Sequence, residues 1–216
     1  MKIVLFGATG NIGQRVAKEA ADRGHTVIGV VRDPDPVQSP DGRVRLVRGD
    51  ATDAESVAEV TRGADAIVSA ISPRPNARGL SAPSLGAAAH ALLEGARNAG
   101  VARVISVGGA GTLEVAPGKR LMDAPGFPDA YLGEAREGAD ALEVFRREGV
   151  GLGWTFLSPA AEIHAGARTG KYRETVDAFL TDKAGRSCIS YEDYAVALVD
   201  ELETPRHAGR RFGVAY

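Results

Sequence analysis

The chain has 216 residues, 44% of them hydrophobic, which is enough to bury one full core and too few for two comfortable α/β domains. Its 26 Lys and Arg stand against 28 Asp and Glu, a balance that excludes the basic footprint of a nucleic-acid binder and points to a small-molecule partner. A single cysteine, Cys188, excludes an internal disulfide framework and a cysteine metal cluster, and suits a reducing compartment.

In chain order, short branched-rich apolar runs at 3–6, 26–31, 44–47, 66–71, 104–107 and 154–157 do not alternate with polar residues, so they read as parallel strands covered on both faces. Helical stretches at 12–23, 53–62, 84–99 and 131–148 separate them. Each is followed by a glycine (Gly24, Gly63, Gly100, Gly149), the residue that most easily ends a helix in the left-handed conformation. Thr52 with Glu55 reads as a capping box opening the second helix. Strand and helix in alternation give right-handed crossovers, hence a doubly wound, Rossmann-type α/β fold with helices on both faces of a parallel sheet.

Segments 33–42, 72–83 and 108–130 are irregular and rich in Gly and Pro. The last two follow the fourth and fifth strands, so they should rim the crevice at the strands' carboxyl ends, where ligands bind in such sheets. Beyond Pro159, polar strand-like pieces around 170–173, a helix over 191–203 and a run at 211–214 read as a small substrate-side cap (159–216) on one domain spanning 1–216. The first apolar run is too short for a secretory signal and no window approaches the ~20 apolar residues of a membrane span. A cytoplasmic protein with no membrane partner is therefore expected, as a monomer or homodimer.

The segment Gly7-Ala8-Thr9-Gly10-Asn11-Ile12-Gly13 directly follows the first strand and opens the first helix. Glycine in that position lets the backbone turn tightly and approach a pyrophosphate, and the helix start offers free N–H groups and a positive dipole end. Thr9 and Asn11 can add side-chain hydrogen bonds. An acidic residue at the end of the second strand would hold the ribose of NAD; here Val31 is followed by Arg32, then Asp33. A guanidinium there matches a 2′-phosphate, which favours NADP, while Asp33 keeps NAD open.

Asp50-Ala51, after the third strand, would stand beside the adenine, although Asp50 equally suits bonding to nearby backbone N–H groups. Ser69-Ala70-Ile71 and Val107-Gly108, ending the fourth and fifth strands, place small residues where ribose and nicotinamide would lie close to backbone. Ser158-Pro159-Ala160, ending the sixth, completes the candidate cofactor set.

No acid-base machinery accompanies this loop. Tyrosine-dependent short-chain dehydrogenases place a lysine four residues after the tyrosine, one helical turn on. Four residues after Tyr131, Tyr172, Tyr191 and Tyr194 stand Ala135, Val176, Ala195 and Leu198. Gly108-Gly109-Ala110-Gly111 follows Ser106-Val107, so the serine of those enzymes is missing too, and Thr112 is the nearest later hydroxyl. Of the four histidines only His164 falls in a loop where substrate could sit, and no hydrolase, P-loop or zinc motif is present. No catalytic residue is assigned and no metal is expected.

Gly7 to Gly13, Arg32 and the missing tyrosine-lysine pair together resemble the atypical short-chain dehydrogenase/reductases of the NAD(P)H-binding, NmrA-like kind. Val107-Gly108-Gly109-Ala110-Gly111, Leu157-Ser158-Pro159-Ala160-Ala161-Glu162-Ile163, Arg168-Thr169-Gly170-Lys171-Tyr172 and Ile189-Ser190-Tyr191-Glu192-Asp193-Tyr194-Ala195 are similar to stretches of bacterial candidate NADH-flavin reductases, as is Arg210-Arg211-Phe212-Gly213-Val214. The resemblance runs over essentially the whole chain. It implies NADH and flavin reduction. Relatives with established flavin or biliverdin reduction carry a hydroxyl residue where this chain has Gly108-Gly109. Ser190 with Asp193 also reads as an ordinary helix start.

These readings lead first to an NAD(P)H-dependent reductase passing hydride to a small planar acceptor such as a flavin or quinone. A dinucleotide-sensing regulatory module without turnover is the alternative, and a sugar-nucleotide epimerase a third.

Overall fold

The structure, a computed structural model, describes residues 1–33, 42–74 and 83–216. Parts of two expected loops, 34–41 and 75–82, lie outside the described residues. The elements in order are β1 (Lys2–Phe6), α1 (Asn11–Asp22), β2 (Thr26–Val31), β3 (Arg45–Arg48), α2 (Ala54–Thr61), β4 (Ala66–Ser69), α3 (Leu85–Ala99) and β5 (Arg103–Val107). There follow a 3₁₀ turn (Ala110–Thr112), a small hairpin of β6 (Glu114–Ala116) and β7 (Lys119–Arg120), α4 (Asp129–Glu148) and β8 (Gly153–Ser158). The chain closes with β9 (Glu162–His164), β10 (Arg173–Thr175), β11 (Cys188–Ser190), α5 (Tyr191–Glu203) and β12 (Arg210–Ala215).

One eight-stranded sheet has the order β10-β12-β8-β5-β4-β1-β2-β3. Every pairing in it is parallel except that of β10 with β12. The absence of alternation in the strand sequences has its reason in β1. Ile3 and Leu5 point into a core formed with Val16, Ala17 and Ala20 of α1 and Tyr194, Leu198 and Leu202 of α5. Val4 and Phe6 point into the opposite core, with Val57 of α2, Leu92 and Leu93 of α3 and Phe145 of α4. Both faces are covered, so both sets of side chains must be apolar.

The helix ends follow local chemistry, with two departures from expectation. Gly24, Gly63 and Gly100 adopt φ of 83°, 71° and 73°, as left-handed terminators should. Gly149 does not: its φ is −74°, and glycine is required there because a Cβ would lie 2.3 Å from the Trp154 ring. The cap of α2 is Asp53, whose carboxylate accepts from the Glu55 N–H at 3.0 Å; Thr52 instead donates its N–H and hydroxyl to Asp50 at 2.8 and 2.7 Å. The shorter Asp50–Thr52 loop outcompetes the capping box expected at Thr52.

After Pro159 the chain divides. β9 and β11 form a parallel ladder apart from the main sheet. The run at 211–214, expected in the cap, instead enters the main sheet within β12, parallel to β8. Its arginines disguised it, because Phe212 and Val214 bury on one face while Arg211 is buried with polar partners on the other.

Candidate functional site

The order of strands reverses between β1 and β4: β2 and β3 lie on one side of β1, and β4, β5 and β8 on the other. Such a reversal opens a crevice at the strands' carboxyl ends. The glycine loop sits there. Gly7 has φ of 78°, and a Cβ on it would meet the Ala70 carbonyl oxygen at 2.4 Å, so the loop and the end of β4 touch backbone to backbone. Gly10 N–H closes the turn on the Gly7 carbonyl at 3.0 Å. Gln14 Nε2 donates to the Thr9 carbonyl at 2.8 Å and stiffens it further.

The glycines divide by task. A Cβ on Gly13 would stand 2.1 Å from the Gly7 carbonyl oxygen, so Gly13 lets the helix seat on the loop. A Cβ on Gly10 would meet nothing closer than that oxygen at 3.4 Å, an ordinary contact, and Gly10 itself has φ of −75°. Among the described residues its bareness serves no internal packing or backbone need.

The start of α1 is bare in a second sense. The N-termini of α2, α3 and α5 are capped by the side chains of Asp53, Ser84 and Ser190. α4 also lacks a side-chain cap but carries Asp129 in its first turn, whereas α1 has neither a side-chain cap nor an acidic residue there. The N–H groups of Asn11, Ile12 and Gly13, which have no intrahelical acceptor, are thus available to an anion. A pyrophosphate fits both observations: among the described residues the donors have no acceptor, and a Cβ on Gly10 would fill the approach to them.

The other sequence-predicted residues gather along the same rim. Arg32 follows β2 and is exposed. Asp50 and Ala51 follow β3; the Asp50 carboxyl is held below its ordinary range by the Thr52 N–H and hydroxyl, against some desolvation, with the Arg32 charge adding to the effect. One Asp50 oxygen is thus engaged within the loop. Ser69 and Ile71 at the end of β4 meet Ser106 and Val107 of β5 around a cavity of about 10 Å³, with room for at most one water. Ser158, Pro159 and Ala160 are all buried, and the Ser158 hydroxyl has no hydrogen-bond partner among the described residues. Arg48, which sequence reasoning passed over, ends β3 in register with Val31 and is exposed.

Beyond β5, Gly108 donates its N–H to the Leu157 carbonyl at 2.7 Å, and a Cβ on it would stand 2.2 Å from the Phe156 ring. Gly108 is therefore a packing glycine. Gly109 has nothing within 4 Å of its Cβ position. Thr112 is buried, and its hydroxyl donates to the Gly109 carbonyl at 3.3 Å. Tyr131, in the first turn of α4, is 53% exposed. His164 is exposed, with Nδ1 3.0 Å from the Ala165 carbonyl.

The β9–β11 side joins the glycine loop through α5. Arg15 of α1 pairs with Glu192 at 3.2 Å and lies over the Tyr191 ring, while Glu192 accepts from the Gly166 N–H at 2.8 Å. A larger open hollow of about 620 Å³, lined by Tyr172, Asp200 and Arg206 among others, lies toward the opposite end of α1, where Arg23 bonds Asp200. Among the described residues no cluster of His, Cys, Asp and Glu could hold a metal ion, and no helix is long and apolar enough to cross a membrane.

Solved structures with this architecture include a candidate exported protein from Burkholderia pseudomallei, 45% identical over the whole of both chains with a TM-score of 0.89. A candidate epimerase from Bacteroides thetaiotaomicron is 38% identical, covering 100% of this chain and 96% of that one, with a TM-score of 0.87. A candidate NADH-flavin reductase from Streptococcus pneumoniae is 32% identical, covering 100% and 99%, with a TM-score of 0.81. The model of a family described as NAD(P)H-binding matches residues 7–205, from the first glycine of the loop to just beyond α5. With the crevice, the bare helix start and this match all in agreement, the chain belongs to the NAD(P)H-binding family of Rossmann-type, atypical short-chain dehydrogenase/reductases.

Proposed function

We propose that this protein is an NAD(P)H-dependent reductase whose acceptor is a planar ring system, a flavin or a quinone. The observation that carries this reading is the rim beyond β5. Among the described residues nothing lies within 4 Å of a Cβ placed on Gly109, and the hydroxyl of Thr112, three residues on, is committed to the Gly109 carbonyl. No tyrosine is followed by a lysine one turn on. Reduction of an ordinary ketone needs a positioned acid. Hydride transfer to a stacked ring needs alignment above all, and solvent can supply the proton afterwards. The likeness to the Streptococcus pneumoniae protein favours the same chemistry.

In this reading the N–H groups of Asn11, Ile12 and Gly13 hold the pyrophosphate, with Thr9 and Asn11 adding side-chain bonds. Ala51 and Asp50 flank the adenine, and Arg32 faces the 2′-phosphate, so NADP is favoured over NAD. Ala70, Ile71, Val107 and the main chain of 158–160 border the ribose and nicotinamide. The dinucleotide supplies hydride from nicotinamide C4 when bound. The chain's own part is to hold that ring against the acceptor and exclude competing orientations.

The absence of an acid-base pair also favours a second reading, a module that senses the dinucleotide without turning it over. The epimerase reading, consistent with the Bacteroides thetaiotaomicron relative, wants the tyrosine-lysine pair that this chain lacks. Oxidation of NADPH or NADH, followed by loss of the nicotinamide absorbance with FMN, FAD and quinones against a no-acceptor control, separates the first two. Acceptor-dependent oxidation supports the reductase. Tight binding with no oxidation by any acceptor overturns it in favour of the sensor.

A further inference from the structure

Arg211 lies near the start of β12 with its side chain 3% exposed. One guanidinium nitrogen donates to the carbonyl of Thr112, 99 residues earlier in the chain. The other pairs with Asp177, whose side chain is 49% exposed. Thr112 closes the 3₁₀ turn that follows Gly108 and Gly109. Around this anchor the backbone is laced as well: Glu114 N–H donates to the Asp177 carbonyl, and Phe179 N–H to the Glu114 carbonyl, both at 2.8 Å. The rim beyond β5 is thus tied to the segment before β11, with the Arg211 guanidinium between them.

Packing alone does not call for a charge here. A buried guanidinium is strongly unfavourable unless hydrogen-bonded, and an apolar side chain of similar volume is often the more stable choice. The Arg211 Nε has no hydrogen-bond partner among the described residues, so even in this site the group is incompletely satisfied. What the guanidinium provides, and an apolar chain cannot, is a directional bond to one carbonyl of the rim. That rim also seats α4, since a Cβ on Gly111 would stand 2.7 Å from the Ala135 Cβ.

We propose that Arg211 is a positioning residue that sets the 110–112 turn against the end of β5 and so fixes the acceptor-side wall of the hydride-transfer site. The inference rests on the reductase reading above. The glycine loop and the ends of β2 and β3 make no contact with the Arg211 guanidinium in the bonds described, so its loss should disturb the acceptor and spare the dinucleotide.

The test uses Arg211→Lys, Arg211→Met and the milder Asp177→Asn in the full chain. Arg211→Met should raise the acceptor KM or lower kcat by about tenfold or more, because misplacement by about 1 Å can cost roughly 10²-fold. The Kd for NADPH should stay within about twofold, a span of less than half a kcal/mol. Amide exchange over 110–114 should quicken by about tenfold, the signature of local opening. Arg211→Lys should recover part of each effect, and Asp177→Asn should move them the same way if Arg211→Met does not fold. Unchanged exchange over 110–114, or dinucleotide affinity falling in step with acceptor kinetics, would overturn the inference. If the parent protein binds NADPH but oxidises it with none of the flavins or quinones, the reductase reading fails, and the exchange measurement still decides whether Arg211 holds the turn.

Discussion

Alanine at Gly10 and at Gly13 should have opposite signatures, although both residues belong to one glycine motif. At Gly13 the new methyl would lie 2.1 Å from the Gly7 carbonyl oxygen and 2.9 Å from its carbon. Both are backbone atoms, and the same oxygen already accepts the Gly10 N–H at 3.0 Å, so neither side can yield without opening the turn. Overpacking of this kind costs about 1–3 kcal/mol, of which the better helix propensity of alanine returns at most about 1. The melting temperature should fall by several degrees, at about 2–4 °C per kcal/mol for a chain of this size. At Gly10 the nearest atom is 3.4 Å away and the backbone is extended, so the cost is limited to the poorer cap, about 1 kcal/mol or less. There the methyl projects toward the anion-facing amides, and dinucleotide affinity should drop by about tenfold or more, equivalent to ~1.4 kcal/mol. Thermal melting and calorimetric titration with NADPH on both variants decide it. Gly10→Ala binding as tightly as the parent, or Gly13→Ala melting at the parental temperature, would refute the division of labour.

Arg32→Ala should weaken NADPH binding by about tenfold or more and spare NADH, because a charge-assisted bond to the 2′-phosphate is worth about 1.5–3 kcal/mol; equal losses by titration would make Arg32 a general phosphate or structural residue. Gly108→Val should lower the melting temperature through the Phe156 ring, whereas Gly109→Ala should leave it within about 2 °C, and the reverse order in a melting assay would misplace the packing contact. Tyr131→Phe and His164→Ala should each cut turnover by less than the 10²–10⁴-fold typical of a lost general acid or base; a loss of about a thousandfold in either, with cofactor affinity intact, would restore a side-chain acid. Burial alone would raise the Asp193 pKa, but hydrogen bonds from the Thr169 hydroxyl, Tyr216 and the Gly170 and Thr169 amides outweigh it and hold the carboxyl below its ordinary value. Its stabilising contribution is therefore full above an unfolded pKa of about 3.9 and lost as pH falls through the folded value. Melting temperature against pH should have a shallower acid limb in Asp193→Asn than in the parent, and parallel limbs would rule this contribution out.

Burial on both faces wrote the sheet into the sequence. Ile3 and Leu5 serve one core and Val4 and Phe6 the other, so β1 had to be continuously apolar, and the same pressure marked the other inner strands. Gly24, Gly63 and Gly100 marked helix ends because their φ is positive for reasons internal to the turn. The glycine loop was legible for the same reason: Gly7, Gly10 and Gly13 fall at one strand-to-helix junction and need no distant partner to be recognised.

Which glycine does what could not be read this way. Gly7 is required by the Ala70 carbonyl, Gly108 by the Phe156 ring and Gly149 by Trp154, whereas Gly10 has no such neighbour, and those atoms arrive from other strands. Thr52 lost its expected cap to Asp53 because Asp50 was near enough to claim it. That the run at 211–214 joins the main sheet was hidden by Arg210 and Arg211, whose charges suggest a surface until Thr112 and Asp177 are brought to meet the second of them. Propensity and periodicity act over a few residues and survive in the sequence. Close approach and burial of charge depend on which segments the fold sets side by side, and only the tertiary structure decides that.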